Sequence, residues 1–149
     1  MELITTKICM SSDIGVHGNL FGGTMMSWID EAGAAYASQI CDTPRMVTVK
    51  ISELIFKKPI KVGNLIKIYG DVKEFGKTSL TLNVEVRKHN VYTGEQCVVT
   101  HTEIKFVRID DDNNPIPISE RVIKRYKDRV GKFGRGLLSF EEIENLKNS

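Results

Sequence analysis

Two hydrophobic periods divide this chain. From about Gly23 to the break at Asp42-Thr43-Pro44, apolar positions recur at helical spacing. At about 100° per residue, Met25, Ile29, Ala32, Tyr36 and Ile40 fall on one stripe, with Met26, Asp30, Gly33 and Ala37 in the column beside it. From residue 46 onward the period shortens to two. Val47, Val49 and Ile51 share one parity, whereas Leu54 and Phe56 take the other, which predicts a long bent strand with a bulge near Ser52 and Glu53. Pro59 and Val62-Gly63-Asn64 turn the chain into LIKIYGDVKEF, and Phe75-Gly76-Lys77 turns it again. In SLTLNVEVRK, Leu80, Leu82, Val84 and Val86 alternate with Thr81, Asn83, Glu85 and Arg87, the pattern of a sheet with one buried face. A loop at residues 90–94 precedes a last strand, CVVTHTEIKFVRI, and the acidic turn DDDNNPIP.

One long helix followed by about four strands with short connections predicts an α+β domain: a central helix wrapped by a curved antiparallel sheet. An open strand such as residues 98–108 invites pairing with a second copy, so a homodimer or higher assembly is expected. After Ile118 the character changes. Residues 120–132 read as a short, charged, exposed helix, and Gly131, Gly134 and Gly136 loosen the chain. Ser139-Phe140-Glu141-Glu142 matches a capping box, with Leu138 and Ile143 placed to staple a further short helix. The expected division is a domain over residues 1–118 and a helical extension over residues 119–149.

At 149 residues and 41% hydrophobic, the chain has material for one core and not for two. A net charge of +2, with basic residues scattered among acidic ones, gives no nucleic-acid footprint. Cys9, Cys41 and Cys97 form an odd, widely spaced set, and His17, His89 and His101 add no metal-ligand spacing. They read as reduced thiols, buried rather than catalytic, and no metal is expected. MELITTKICMSSD lacks the pattern of a leader, and no stretch approaches the roughly 20 apolar residues of a membrane span. The expectation is a soluble, cytoplasmic protein.

The chemistry concentrates at residues 17–37. Helix start at Gly22-Gly23 leaves unpaired N–H groups at the positive end of the dipole, a place for a developing oxyanion. Asp30 flanks the apolar stripe, whereas Glu31 points toward the polar side with Thr24, Ser27 and Ser38. A carboxylate held out of water requires a partner, and small neighbours at Gly33 and Ala37 leave room for one.

Three long blocks, GNLFGGTMMSWIDEAG, MVTVKISELIFKKPIKVGNLI and FGKTSLTLNVEV, resemble the acyl-coenzyme A thioesterases of the hotdog fold, in the branch similar to the bacterial YciA proteins and the cytosolic long-chain acyl-CoA hydrolases. The resemblance covers most of residues 13–109. It implies dimers with a continuous sheet, often a trimer of such dimers, and active sites at the dimer interface. By this likeness Asp30 is the base or nucleophile, and Asn19 is the polar residue supplied by the facing subunit. Many bacterial members carry an asparagine where this chain has His17.

The reaction so implied is hydrolysis of an acyl-CoA to a free acid and coenzyme A, with Gly22 and Gly23 as oxyanion donors and no cofactor beyond the substrate's own coenzyme A. The resemblance places Gly76-Lys77-Thr78-Ser79 near the nucleotide arm, where amides, two hydroxyls and an ammonium suit phosphates. Lys58 is a further cation for that arm, with Lys57, Arg87 and Lys88 secondary. Met25, Met26 and Trp28 are candidates for an acyl pocket, although Met25 lies on the core stripe. Two other readings stay open: a binding module that holds acyl-CoA without turnover, and a hotdog hydratase or dehydratase that would use His17.

Overall fold

The computed structural model describes residues 1–133. The capping-box segment at Ser139, with Leu138 and Ile143, lies outside the described residues. Helix α1 (Gly22–Cys41) begins one residue before the expected start, and its buried residues are Met25, Ile29, Ala32, Gly33, Ala37 and Cys41. Apart from Ala32, that row advances in steps of four and so inclines across the helix. It includes Gly33 and Ala37, where the sheet approaches closely, and leaves the bulkier Tyr36 and Ile40 half-buried. Tyr36 profits from its rim position, since its hydroxyl donates to Glu2 Oε2 at 3.0 Å.

Five strands form one sheet: β1 (Glu2–Ile8), β2 (Met46–Ile51), β3 (Leu65–Phe75), β4 (Ser79–His89) and β5 (Gln96–Arg108). Their spatial order is β1-β3-β4-β5-β2, and every pairing is antiparallel. The face turned to α1 carries Leu80, Leu82, Val84 and Val86, all fully buried as their alternation predicts. Strand β1 was not anticipated. Thr5, Thr6 and Lys7 blur its alternation, and its pairing with β3 is irregular between Leu3 and Thr5.

Two expectations about the sheet need correction. First, the run containing residues 98–108 is not an edge, because β5 lies between β4 and β2; the open edges are β1 and β2. Second, the long bent strand does not form. β2 stops at Ile51, and its bulge falls between Thr48 and Lys50 rather than at Ser52 and Glu53. That bulge separates the valines from Ile51: Val47 stands opposite Val107, Ile51 opposite Ile104, and Val47 and Val49 are exposed. Thr48, opposite the buried Phe106, takes the helix side.

Beyond Ile51 the chain is irregular but fastened. The Ser52 N–H donates to Glu103 O and the Lys57 N–H to Val99 O. The hydroxyls of Thr100 and Thr102 donate to Ile55 O and Ser52 O, at 2.6 and 3.2 Å. These two buried threonines satisfy carbonyls that no strand partner reaches. Helix α2 (Glu120–Phe133) is charged as expected, yet it is docked by one apolar edge. Val122 is buried, and the Tyr126 ring meets Phe75 edge-on with centroids 5.3 Å apart. Arg121 and Arg125 reach Asp42, the residue that ends α1, at 3.3 and 2.8 Å.

Candidate active site

Asp30 sits half-buried on α1, and Glu31 beside it is exposed. Its partner is Thr48, whose Oγ1 donates to Asp30 Oδ1 at 2.6 Å. The bulge in β2 produces this contact by turning Thr48 toward the helix. Thr48, Phe106 and Leu80 are successive register partners across β2, β5 and β4, so Leu80 lies two strand spacings, about 10 Å, from Thr48. Ser79 and the β3–β4 turn are therefore at the same end of the sheet as Asp30.

That turn is built tightly. The Gly76 N–H donates to Ser79 O, and the carbonyls of Lys77 and Thr78 accept from Ile118 and Arg108. A side chain at residue 76 would meet Ser79 Oγ, which would have to rotate away. Lys77 is exposed and Thr78 and Ser79 are half-buried, so the ammonium and both hydroxyls stand on one short loop.

The other predicted residues gather elsewhere. Asn19, Gly22 and Lys58 line one cleft of 320 Å³ together with Met25, Phe56, Lys57, Ile60 and Val99. Asn19 Oδ1 is buried there without a hydrogen-bond partner. Among the described residues the Gly22 and Gly23 N–H groups have no acceptor, and the residue before the helix, Phe21, makes no side-chain cap. The cleft thus carries the unpaired Gly22 donor and the unpaired Asn19 acceptor at the positive end of the α1 dipole, and Gly23, the next residue of the helix, is not among its lining residues.

Distance separates these two groups. Gly22 and Asp30 are eight residues apart on one helix, which is about 12 Å of rise. A carbonyl polarised at Gly22 is out of reach of Asp30 of the same chain. Most other candidates lie outside these two groups in the single chain. Arg87 is held by Glu85 at 2.6 Å and lies over the Tyr69 ring, 4.1 Å from its centre, so it belongs to the sheet surface. Met26 is exposed, Trp28 half-buried, and only Met25 of that trio lines the cleft. His17 is exposed in its loop. Cys9 and Cys41 are buried, whereas Cys97, contrary to expectation, is exposed. Burial pushes Cys41 up to about 11 and raises Tyr36 as well, and neither group is in the cleft or beside Asp30. Among the described residues no cluster of three His, Cys, Asp or Glu side chains converges on a metal position.

Residues 17–95 match the family model described as the thioesterase superfamily, slightly more than half of the chain. The chain belongs to the thioesterase superfamily. Relatives and solved structures agree with the assignment. The acyl-CoA thioester hydrolase YciA of Salmonella typhimurium is 32% identical over 120 residues, covering 78% of this chain and 90% of that protein. A hexameric hotdog-fold thioesterase of Campylobacter jejuni superposes with a TM-score of 0.75 at 32% identity, over 84% of this chain and 96% of that one. A hexameric, broad-specificity acyl-coenzyme A thioesterase, solved as an aspartate-to-alanine mutant, reaches a TM-score of 0.78 at 29% identity, over 87% of this chain and 97% of that one. The fold of this thioesterase-superfamily chain is accordingly the hotdog: α1 is the filling and the five-stranded sheet the wrap.

Proposed function

We propose that this protein hydrolyses acyl-coenzyme A thioesters at sites shared between two copies of the chain. One observation carries the proposal. The unpaired Gly22 and Gly23 N–H groups and the Asp30 carboxylate lie about 12 Å apart along one rigid helix, so a single chain holds two halves of different sites. A two-fold dimer brings the cleft of one chain to Asp30 of the other. The edge strand β2 is the seam such a dimer would use: its backbone is unpaired on one side, and Val47 and Val49 are exposed along it. Phe21, Met26 and Ile55 extend the exposed apolar surface nearby in sequence.

In this reading the thioester carbonyl points its oxygen at the Gly22 and Gly23 N–H groups, where one donor is worth roughly 2.7–4 kcal/mol to the transition state. Asp30 either takes a proton from the attacking water or attacks the carbon itself, and Thr48 holds the carboxylate by the bond to Oδ1. The C–S bond then breaks and the sulfur leaves as coenzyme A thiolate and is protonated; where water attacked, the acid departs at once, and where Asp30 attacked, a water then hydrolyses the acyl–Asp30 anhydride to release the acid and restore the carboxylate. Asn19 supplies its unpaired amide to the attacking water. Lys58 at the cleft and Gly76, Lys77, Thr78 and Ser79 beside the Asp30 half hold the coenzyme A arm, each with amides, hydroxyls or ammonium suited to phosphate. Coenzyme A is part of the substrate, and no separate cofactor enters. Like its hexameric structural relatives, the protein would assemble as a trimer of dimers, and it would work in the cytoplasm.

The test follows thioester absorbance for acyl-CoAs from acetyl to palmitoyl with wild type and Asp30→Asn. Turnover by wild type and its loss in the variant, with coenzyme A still bound by both, is the expected result. Binding by both with turnover by neither would replace the hydrolase with a binding module. Loss of enoyl-CoA absorbance would point to a hydratase.

A further inference from the structure

We infer that Phe56 is the residue that sets acyl-group preference in the cleft beside Gly22. The inference rests on the thioesterase reading of that cleft. Phe56 is the one aromatic among the described residues that line it, and its ring borders α1 at ordinary contact distance: a β-carbon on Gly22 would stand 3.5 Å from Cε2 and 3.6 Å from Cζ. The ring is thus a wall beside the N–H that receives the oxyanion.

Its placement is built rather than incidental. The residues on either side are both tied to β5: the fully buried Thr100 donates to Ile55 O at 2.6 Å, and the Lys57 N–H donates to Val99 O at 2.8 Å. A threonine hydroxyl taken wholly out of water is justified only by the bond it makes, and here that bond fixes the backbone that presents Phe56. The side chain itself is 49% exposed and stands outside the buried core, so core packing does not account for it. The cleft has an apolar floor, Met25, Ile60 and Val99, each nearly inaccessible to solvent, and a polar lip of Asn19, Lys57 and Lys58. A ring held against Gly22 by this tethered backbone limits how large an apolar group that 320 Å³ space admits. Removing the ring enlarges it without touching the Gly22 N–H or Asp30.

The experiment compares wild type, Phe56→Ala, Phe56→Leu and Phe56→Trp across acyl-CoAs from acetyl to palmitoyl, recording kcat/KM, assembly state and thermal midpoint. In Phe56→Ala the ratio of kcat/KM for long over short acyl groups rises about tenfold or more, in line with what a change of one or more methylenes does to a hydrophobic pocket. Phe56→Leu lies between, and Phe56→Trp shifts the ratio the other way, all with assembly and midpoint preserved. An unchanged ratio in all three, with wild type active, overturns the inference and leaves the hydrolase standing. Loss of assembly in every variant also overturns it, since Phe56 would then be an interface residue. A wild type that turns over no acyl-CoA takes down the hydrolase reading and this inference together.

Discussion

Thr48 Oγ1 and Asp30 Oδ1 are joined by a 2.6 Å hydrogen bond that ties β2 to the middle of α1. A hydroxyl donating to a carboxylate is among the stronger side-chain bonds, and although solvent access leaves it little net weight in stability, it gives the carboxylate a fixed orientation. Thr48→Ala should therefore lower kcat by about tenfold or more, with a thermal midpoint close to wild type because the pair is solvent-accessible. Thr48→Ser, which keeps the donor, should recover most of the loss. Equal damage from Ala and Ser would assign the residue to strand packing instead.

Sharing of sites between two chains predicts complementation. Asp30→Asn and Asn19→Ala should each be inactive alone. In a two-fold dimer mixing the two, one site carries both lesions and the other carries neither. Random mixing makes half the dimers hybrid, each with one intact site of two, so about a quarter of wild-type activity should return on co-refolding. A mixture as inactive as its parents would place both residues in the same chain's site.

Much of this arrangement is legible in the sequence, and the failures have physical causes. The α1 pattern and the Leu80 to Val86 alternation work because each element has one buried face, so period alone reports burial. Asp30 stands out because a carboxylate beside an apolar stripe is costly. Thr48 was invisible: between Val47 and Val49 it reads as the polar face, and one bulged residue reversed that. Phe56 was misread for a related reason, since bonds from Thr100 replace the strand expected there and no periodic signal marks a side chain-to-backbone tie. The chain position of β5 said nothing of its neighbours, and order in the sheet is set by contacts distant in sequence. The separation of Asn19 from Asp30 needed only the helix rise.

Gly33 is where α1 and the sheet come closest. A β-carbon there would stand 3.0 Å from Ile104 Cδ1 and 3.1 Å from Phe106 Cζ, and both neighbours are fully buried. Alanine gains about 1 kcal/mol of helix propensity, but overpacking a closed core costs about 1–3 kcal/mol. The net effect of Gly33→Ala should be destabilising, lowering the thermal midpoint by about 3–5 °C. Adding Ile104→Val, which removes the Cδ1 in contact, should cost less in Gly33→Ala than in wild type. A raised midpoint in the single variant would show that Ile104 simply moves aside.

The thiols separate by burial. Burial pushes Cys41 from 9.0 up to about 11, with Asp42 adding to the rise and Arg108 and Arg125 opposing it, and burial also raises Cys9. Both should resist alkylation at mildly alkaline pH, where the exposed Cys97 is modified first. Linkage gives a second consequence. Between pH 9 and about 11 the unfolded chain has lost the Cys41 proton while the folded chain keeps it. Stability contributed by the buried neutral thiol is therefore complete below pH 9 and falls as pH rises through that window. Tyr36, also raised chiefly by burial, adds a loss of the same sign above pH 10. Thermal midpoints of wild type and Cys41→Ala from pH 8 to 11 provide the check. The variant should begin lower, from the lost packing, and decline less steeply above pH 9. Parallel curves would mean that Cys41 ionises in the folded protein as readily as in the unfolded chain.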